Sequence, residues 1–303
     1  MNWSKMQLRS TLFAVAAPLA HFTGLGYMSV LLAAGAMLPL TVLAGDGLKR
    51  ITKPEAVLEL LWVGLIMGTL LRVSGTNWPG EKTDLVVPTA ILLLAVISGD
   101  TKKSVRSCST LFWIAAIPAV LAVIALAGKV EPDLLTPEPA KWTGVLIAAL
   151  LYPSLNGVNK GVKIKTAILT AVVAGILATI VQGGLGRAVS EKNVTPLYEL
   201  GRCVGNGGFE IIVSVVLTLG WYGFASMGMR SAEAFGNMIG LSGIQSRIGA
   251  AILAGTVILF HIIIEDWILI SGCLILWILI RYYTLKNNLK KDKKGVDKWR
   301  VTC

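Results

Sequence analysis

The amino-acid sequence predicts an all-α, polytopic membrane protein of about ten transmembrane helices, arranged as two inverted five-helix repeats in the manner of transporters. Three observations predict it: a composition too apolar for a wet surface, apolar runs that recur along the whole chain, and basic residues that gather on alternate connections. Of 303 residues, 54% are hydrophobic and only 15% charged, with a mean hydropathy of +0.71, whereas soluble domains carry about 25% charged residues. Ten spans at roughly 20 residues each, plus connections, use nearly the whole chain and leave no room for a separate soluble domain. A soluble enzyme and a compact nucleic-acid-binding domain are excluded on these grounds.

Apolar runs bounded by charge, Gly or Pro place the spans near 10–24, 26–44, 55–74, 84–98, 108–128, 141–155, 166–186, 207–228, 246–263 and 266–283. The segments near 10–24, 84–98 and 141–155 are short, so they either borrow interfacial residues or do not fully cross. Residues 1–283 therefore form a single transmembrane domain, and 284–303 a basic cytoplasmic tail.

Orientation follows from the positive-inside rule, which was not used to count the spans. With the N-terminus in the cytoplasm, the inner connections and the tail hold 21 of the 28 basic residues, while ten of the 17 acidic residues lie outside. The outer acids include Glu131 and Asp133 in the Pro-rich stretch from Glu131 to Pro139. An even number of spans puts both termini in the cytoplasm of a bacterial inner or spore inner membrane. The N-terminus has a competing reading, because Lys5 and Arg9 before the apolar run Thr11 to Ala20 also resemble a signal peptide. No small-x-small cleavage site follows Pro18, and cleavage would leave an odd number of spans. The tail carries seven basic and two acidic residues, which suits a stop-transfer flank lying on anionic lipid.

Little in the sequence points to catalysis. His21 and His261 stand far apart, each in or beside an apolar run, with no paired ligand motif. The glycine clusters at Gly24-Leu25-Gly26 and Gly205-Asn206-Gly207-Gly208 lack the Lys of a phosphate-cradling loop. Cys108, Cys203, Cys273 and Cys303 show neither disulfide nor zinc spacing. The expectation is a protein that is not an enzyme, with no cofactor, no metal site and no nucleic-acid partner.

A solute site needs no reactive side chain, because a broken helix exposes backbone groups and dipole ends at the midplane. In a five-plus-five split, span one corresponds to span six. Span one contains Pro18 and ends in Thr23-Gly24-Leu25-Gly26; span six contains Gly144 and then Tyr152-Pro153-Ser154-Leu155-Asn156-Gly157. Both can break where Pro or Gly frees a backbone group.

The run Val87-Pro88-Thr89-Ala90 through Gly99-Asp100, then Ser104-Val105-Arg106, the apolar span Leu111 to Gly128 and the stretch Val130-Glu131-Pro132-Asp133-Leu134-Leu135-Thr136-Pro137 resembles the spore germination permease family. These are the B subunits of nutrient germinant receptors, within the amino acid–polyamine–organocation superfamily. The best segment covers about fifty residues, and the order of its elements carries the resemblance. The chain is shorter than that family's pattern, and Glu210 and Trp221 are too far apart for its span-eight motif, which bears on the ligand site more than on the fold.

The resemblance implies a membrane-embedded subunit that binds a small nutrient, often an amino acid, where spans one and six are broken. It also implies assembly with other membrane subunits of a receptor. Mapped by position, the lining would be Pro18, Thr23, Gly24 and Gly26 from span one, and Tyr152, Pro153, Ser154, Asn156 and Gly157 from span six. Trp221 and Tyr222 of span eight would add an aromatic wall. Two other readings share the fold: a secondary transporter of amino acids or similar solutes, and a structural membrane subunit without a functional ligand site. Ionisable residues at the ends of spans, namely Glu55, Glu59, Arg72 and Glu210, read as snorkelling to the interface rather than as functional groups.

Overall fold

In the computed structural model, the residues described are 52–78, 83–98 and 208–260, with shorter pieces within 124–135, 168–186 and 272–286 and the single helical residue Leu32. All regular structure among them is helical: α1 (Lys53–Leu71), a 3-10 turn (Arg72–Asn77), α2 (Thr83–Ser98), a second 3-10 turn (Pro132–Leu135), α3 (Gly208–Ile239) and α4 (Gly243–Phe260). Spans 10–24 and 141–155 lie outside the described residues, and so does all of span 26–44 but Leu32.

Each helix has a local cause. At α1, the backbone N–H of Thr52 donates to Glu55 Oε2 at 2.7 Å, the carboxylate half of a capping box, and Pro54 sits in the first turn where its missing N–H costs nothing. At α4 the box is reciprocal: Ser242 N–H donates to Gln245 Oε1 at 2.9 Å, and Gln245 N–H donates to Ser242 Oγ at 3.4 Å. That box starts α4 at Gly243, three residues before the start at 246 expected from hydropathy.

Span eight needs a larger correction. Expected over 207–228, α3 continues to Ile239, because Met229, Ala232 and Phe235 extend the buried apolar stripe past the charges Arg230 and Glu233. It stops at Gly240, whose φ of 95° only glycine adopts without strain. Leu241 N–H bonds Gly236 O at 2.9 Å and Gly240 N–H bonds Asn237 O at 3.3 Å, the two closures of a Schellman motif. The 32 residues of α3 span roughly 48 Å, beyond a hydrocarbon core of about 30 Å. α2, at 16 residues, reaches only about 24 Å, in keeping with its short apolar run.

The four helices form one unit, and small residues set its spacing. Gly64 and Gly68 of α1 face Ala250 and Ala254 of α4. A Cβ on Gly64 would lie 2.7 Å from Leu253 Cβ, and one on Gly68 would lie 2.5 Å from Ala254 O and 2.8 Å from Ala254 Cα. The two backbones thus touch, as in small-xxx-small pairs of membrane helices. Residue numbers rise together across this seam, so α1 and α4 run parallel. Gly236 sits against Ser246 and Glu233 against Arg247, so α3 is antiparallel to α4. Leu92 lies by Gly255 and Val96 by Arg247, so α2 is also antiparallel to α4. Trp62, Met67, Leu71, Trp221, Met229 and Ile258 fill the centre.

The outward faces are apolar as well. Val86, Leu93, Leu94 and Ile97 of α2 and Ile244, Ile252 and Leu259 of α4 are exposed. The exposed Thr256 hydroxyl donates within its own helix to Ile252 O at 2.8 Å. Among the described residues α4 is the helix long and apolar enough to cross a membrane, with a mean hydropathy of 1.5 and 28% of its length buried.

Gly→Ala normally gains about 1 kcal/mol of helix propensity, so the seam makes opposite expectations for two glycines. A Cβ on Gly249 meets nothing within 4 Å, and Gly249→Ala should raise the melting temperature slightly. Gly68→Ala, which forces backbone apart, should lower stability by about 1–3 kcal/mol. Thermal melts of the purified variants in one detergent check both.

Candidate functional site

Of the residues expected to line a ligand, Pro18, Thr23, Gly24, Gly26, Tyr152, Pro153, Ser154, Asn156 and Gly157 lie outside the described residues. Trp221 and Tyr222 are described, adjacent on α3. The Trp221 side chain is 1% exposed, with the Phe224 ring at 5.9 Å and 86° in an edge-to-face contact. Tyr222 points toward α2, where its hydroxyl donates to Ser98 Oγ at 2.6 Å. One turn earlier on α3, Thr218 Oγ1 accepts a 2.8 Å bond from the Trp78 indole N–H. Tyr222 and Thr218 therefore tie α3 to the end of α2 and to Trp78, which lies between α1 and α2.

The ionisable groups depart from expectation. Glu55 is 1% exposed, Glu59 0% and Arg72 6%, so these three do not snorkel. The cause for Glu55 is its turn back onto Thr52, which satisfies the carboxylate inside the helix end. Glu59 follows from angle rather than depth: it shares the face of Ala56, Val63 and Ile66, all buried, at the i, i+3, i+4 spacing that marks one side of a helix. That periodicity was present in the sequence and would have placed Glu59 inward. Glu210 stands in the first turn of α3.

Sequence reasoning missed a polar node at the α3–α4 turn. Arg247 Nε pairs with Glu233 Oε1 at 2.7 Å, the side chains being 18% and 22% exposed, and Arg247 Nη1 donates to Val96 O at 3.0 Å. Val96 belongs to the last turn of α2, whose carbonyls have no partner within the helix. One guanidinium thus joins three helices at one end of the unit. The signal for it is faint in sequence, because Glu233 and Arg247 are separated by a turn whose geometry only the glycine at 240 discloses.

A second polar contact lies after spans five and seven. Glu131 N–H bonds Gly183 O at 3.1 Å, and Gln182 Nε2 donates to Leu134 O at 3.0 Å. Val130 covers Gly183, where a Cβ would overlap it. The 3-10 turn Pro132–Leu135 is thereby docked on the helix end near Gly186. Among the described residues no three His, Cys, Asp or Glu side chains gather as a metal site would require.

No family model matches the chain, and no curated protein matches it.

Burial of Glu59 separates its environment from that of Lys53, which is exposed at the start of the same helix. Glu59→Lys should cost more than about 3 kcal/mol, the scale of a mispaired buried charge, and reduce the folded yield sharply, while Lys53→Gln stays within about 0.5 kcal/mol. Size-exclusion profiles and melts in detergent read out both. Tyr222→Phe, which removes one hydroxyl from Ser98, should cost about 1 kcal/mol.

Proposed function

We propose that the chain is a permease-type membrane subunit of two inverted five-helix repeats that binds a small, amino-acid-like nutrient, as the ligand-sensing subunit of a spore germinant receptor or a related permease. The observation that carries this reading is helix direction. In a five-plus-five split, α1 and α3 are the third spans of their repeats, and α2 and α4 the fourth. Inversion requires each equivalent pair to be antiparallel, and both are. Seam and partner also correspond, since α1 on α4 is the counterpart of α3 on α2. The positive-inside assignment agrees with it and sets the side: spans three and nine should run outward and spans four and eight inward, the directions these helices have relative to one another.

The proposed ligand site lies at the breaks of spans one and six, at Thr23, Gly24 and Gly26 and at Pro153, Ser154 and Asn156. Trp221 and Tyr222 belong to the frame behind it. Both termini are cytoplasmic on this reading, the bilayer covers the apolar outer faces, and further membrane subunits complete the receptor.

Thermal melts in nanodiscs against a panel of amino acids, nucleosides and sugars test it, because a ligand that binds only the folded state stabilises it by about 2.7 kcal/mol at one hundred times its Kd. A selective shift with one amino-acid-like class is expected. Asn156→Ala should abolish that shift and leave the unliganded melting temperature unchanged, since it removes an amide contact without opening a core cavity. Absence of any shift from folded protein would overturn the nutrient-binding reading. Net flux of the same ligand in proteoliposomes would reassign the chain as a secondary transporter.

A further inference from the structure

The helical residues within 272–286 present two unlike faces. Trp277 and Ile280 are buried in the hydrophobic core of the four-helix unit, and Leu276 packs against it. Ile275, Ile278, Leu279, Tyr282 and Tyr283 are exposed, and so is Lys286. Helical spacing separates the two sets: positions 278, 279, 282 and 286 follow 275 by three, four, seven and eleven residues and share its face, while 276, 277 and 280 lie across from it. The core contact therefore fixes the direction of the exposed face, which is outward from the unit.

The chemistry of that face changes along its length. Ile275, Ile278 and Leu279 are aliphatic, Tyr282 and Tyr283 carry a hydroxyl at the end of an apolar ring, and Lys286 ends in an ammonium. From 275 to 286 the face runs about 16 Å. This is the order of a half-bilayer read from hydrocarbon to phosphate, with tyrosine at the interface and lysine reaching past it. A protein partner fits the gradient less well, because Lys is depleted from protein interfaces and their polar groups form a rim around the apolar centre. Charge sets the kind of lipid: the tail from Thr284 to Cys303 carries seven basic residues against two acidic ones, so the headgroups it draws are anionic.

We propose that this face is a docking surface for anionic phospholipid: acyl chains lie along Ile275, Ile278 and Leu279, the rings of Tyr282 and Tyr283 sit at the level of the glycerol esters, and the Lys286 ammonium pairs with the headgroup phosphate. Trp277 and Ile280 anchor the opposite face in the core, so a lipid held here also sets the depth of the unit in the membrane. The inference rests on the proposed function only for the membrane itself and for the side, which the charge pattern assigns to the cytoplasm; it needs no nutrient site.

Local lipid composition tests the surface on the full chain reconstituted in mixed bilayers of phosphatidylcholine and phosphatidylglycerol. With the four native cysteines changed to serine, a bimane fluorophore goes on Leu279→Cys and, in a second protein, on Ile252→Cys of α4, both positions being exposed. Quenching is compared between bilayers in which only the phosphatidylglycerol or only the phosphatidylcholine carries brominated chains, so depth cancels within each position. At 279 the brominated phosphatidylglycerol should quench more than the brominated phosphatidylcholine, and at 252 the two should quench alike. Lys286→Gln should cut the preference at 279 about fivefold, the worth of one basic residue at a membrane surface, and Lys286→Arg should keep it. Equal quenching by the two lipids at 279, an equal preference at both positions, or a preference that Lys286→Gln leaves unchanged would overturn the proposal with the membrane reading intact. No quenching by either lipid at either position would overturn the membrane reading and the proposal together.

Discussion

The contact on which the unit depends is the approach of two backbones where Gly64 and Gly68 meet Ala250 and Ala254. In the membrane proposed for this chain, apolar burial alone would not hold the helices together, because lipid tails offer the same surroundings as another leucine. What remains is close dispersion contact and the satisfaction of polar groups, and both require short distances. Removing side chains from one face of α1 brings α4 near enough for its carbonyls and Cα atoms to be the contact surface. The rest of the geometry follows from that spacing. Met67 can reach across to Gly228, and Trp62 and Trp221 are buried in the same hydrophobic core.

Polar groups then finish what the seam begins, and most do so at helix ends. Glu55 and Gln245 close helix starts, Gly240 closes a helix end, and Arg247 takes up a carbonyl that α2 leaves over. Within the helices Thr69, Ser226 and Ser246 turn their hydroxyls onto carbonyls one turn back, which removes donors from an apolar setting. Two long-range bonds between side chains, Trp78 to Thr218 and Tyr222 to Ser98, run between the 53–98 segment and α3. They fix rotation about the helix axes, where the smooth Gly and Ala faces fix only distance.

How much of this was legible in the sequence depends on the kind of signal. The helices expected as spans three, four, eight and nine were found from hydropathy to within a few residues at most ends, because the runs are apolar throughout. Hydropathy failed where polarity and helicity part company: Arg230 and Glu233 looked like a loop, although the stripe through Met229, Ala232 and Phe235 continues beneath them. The starts of α1 and α4 were written as Thr52-Lys53-Pro54-Glu55 and Ser242-Gly243-Ile244-Gln245, signals that a search for apolar runs passes over. Glu59 was misread because its depth along α1 was weighed and its angle around α1 was not. Of the expected ligand residues, Trp221 and Tyr222 are placed on a helix and given packing partners, while the others fall outside the described residues.

The four-helix unit also constrains where a solute can bind on the proposed reading. Its polar groups with assigned geometry are already spoken for: Tyr222 by Ser98, Trp78 by Thr218, Arg247 by Glu233 and Val96, Glu55 by Thr52. Its seam is closed at backbone distance, and its central rings pack edge to face. A zwitterion needs the reverse, unpaired N–H and C=O groups facing a space, and ordinary helices do not provide them in an apolar medium. The groups must come from helices that are interrupted, and the sequence puts its matched Pro and Gly interruptions in spans one and six. The unit then serves as the frame against which those spans are held.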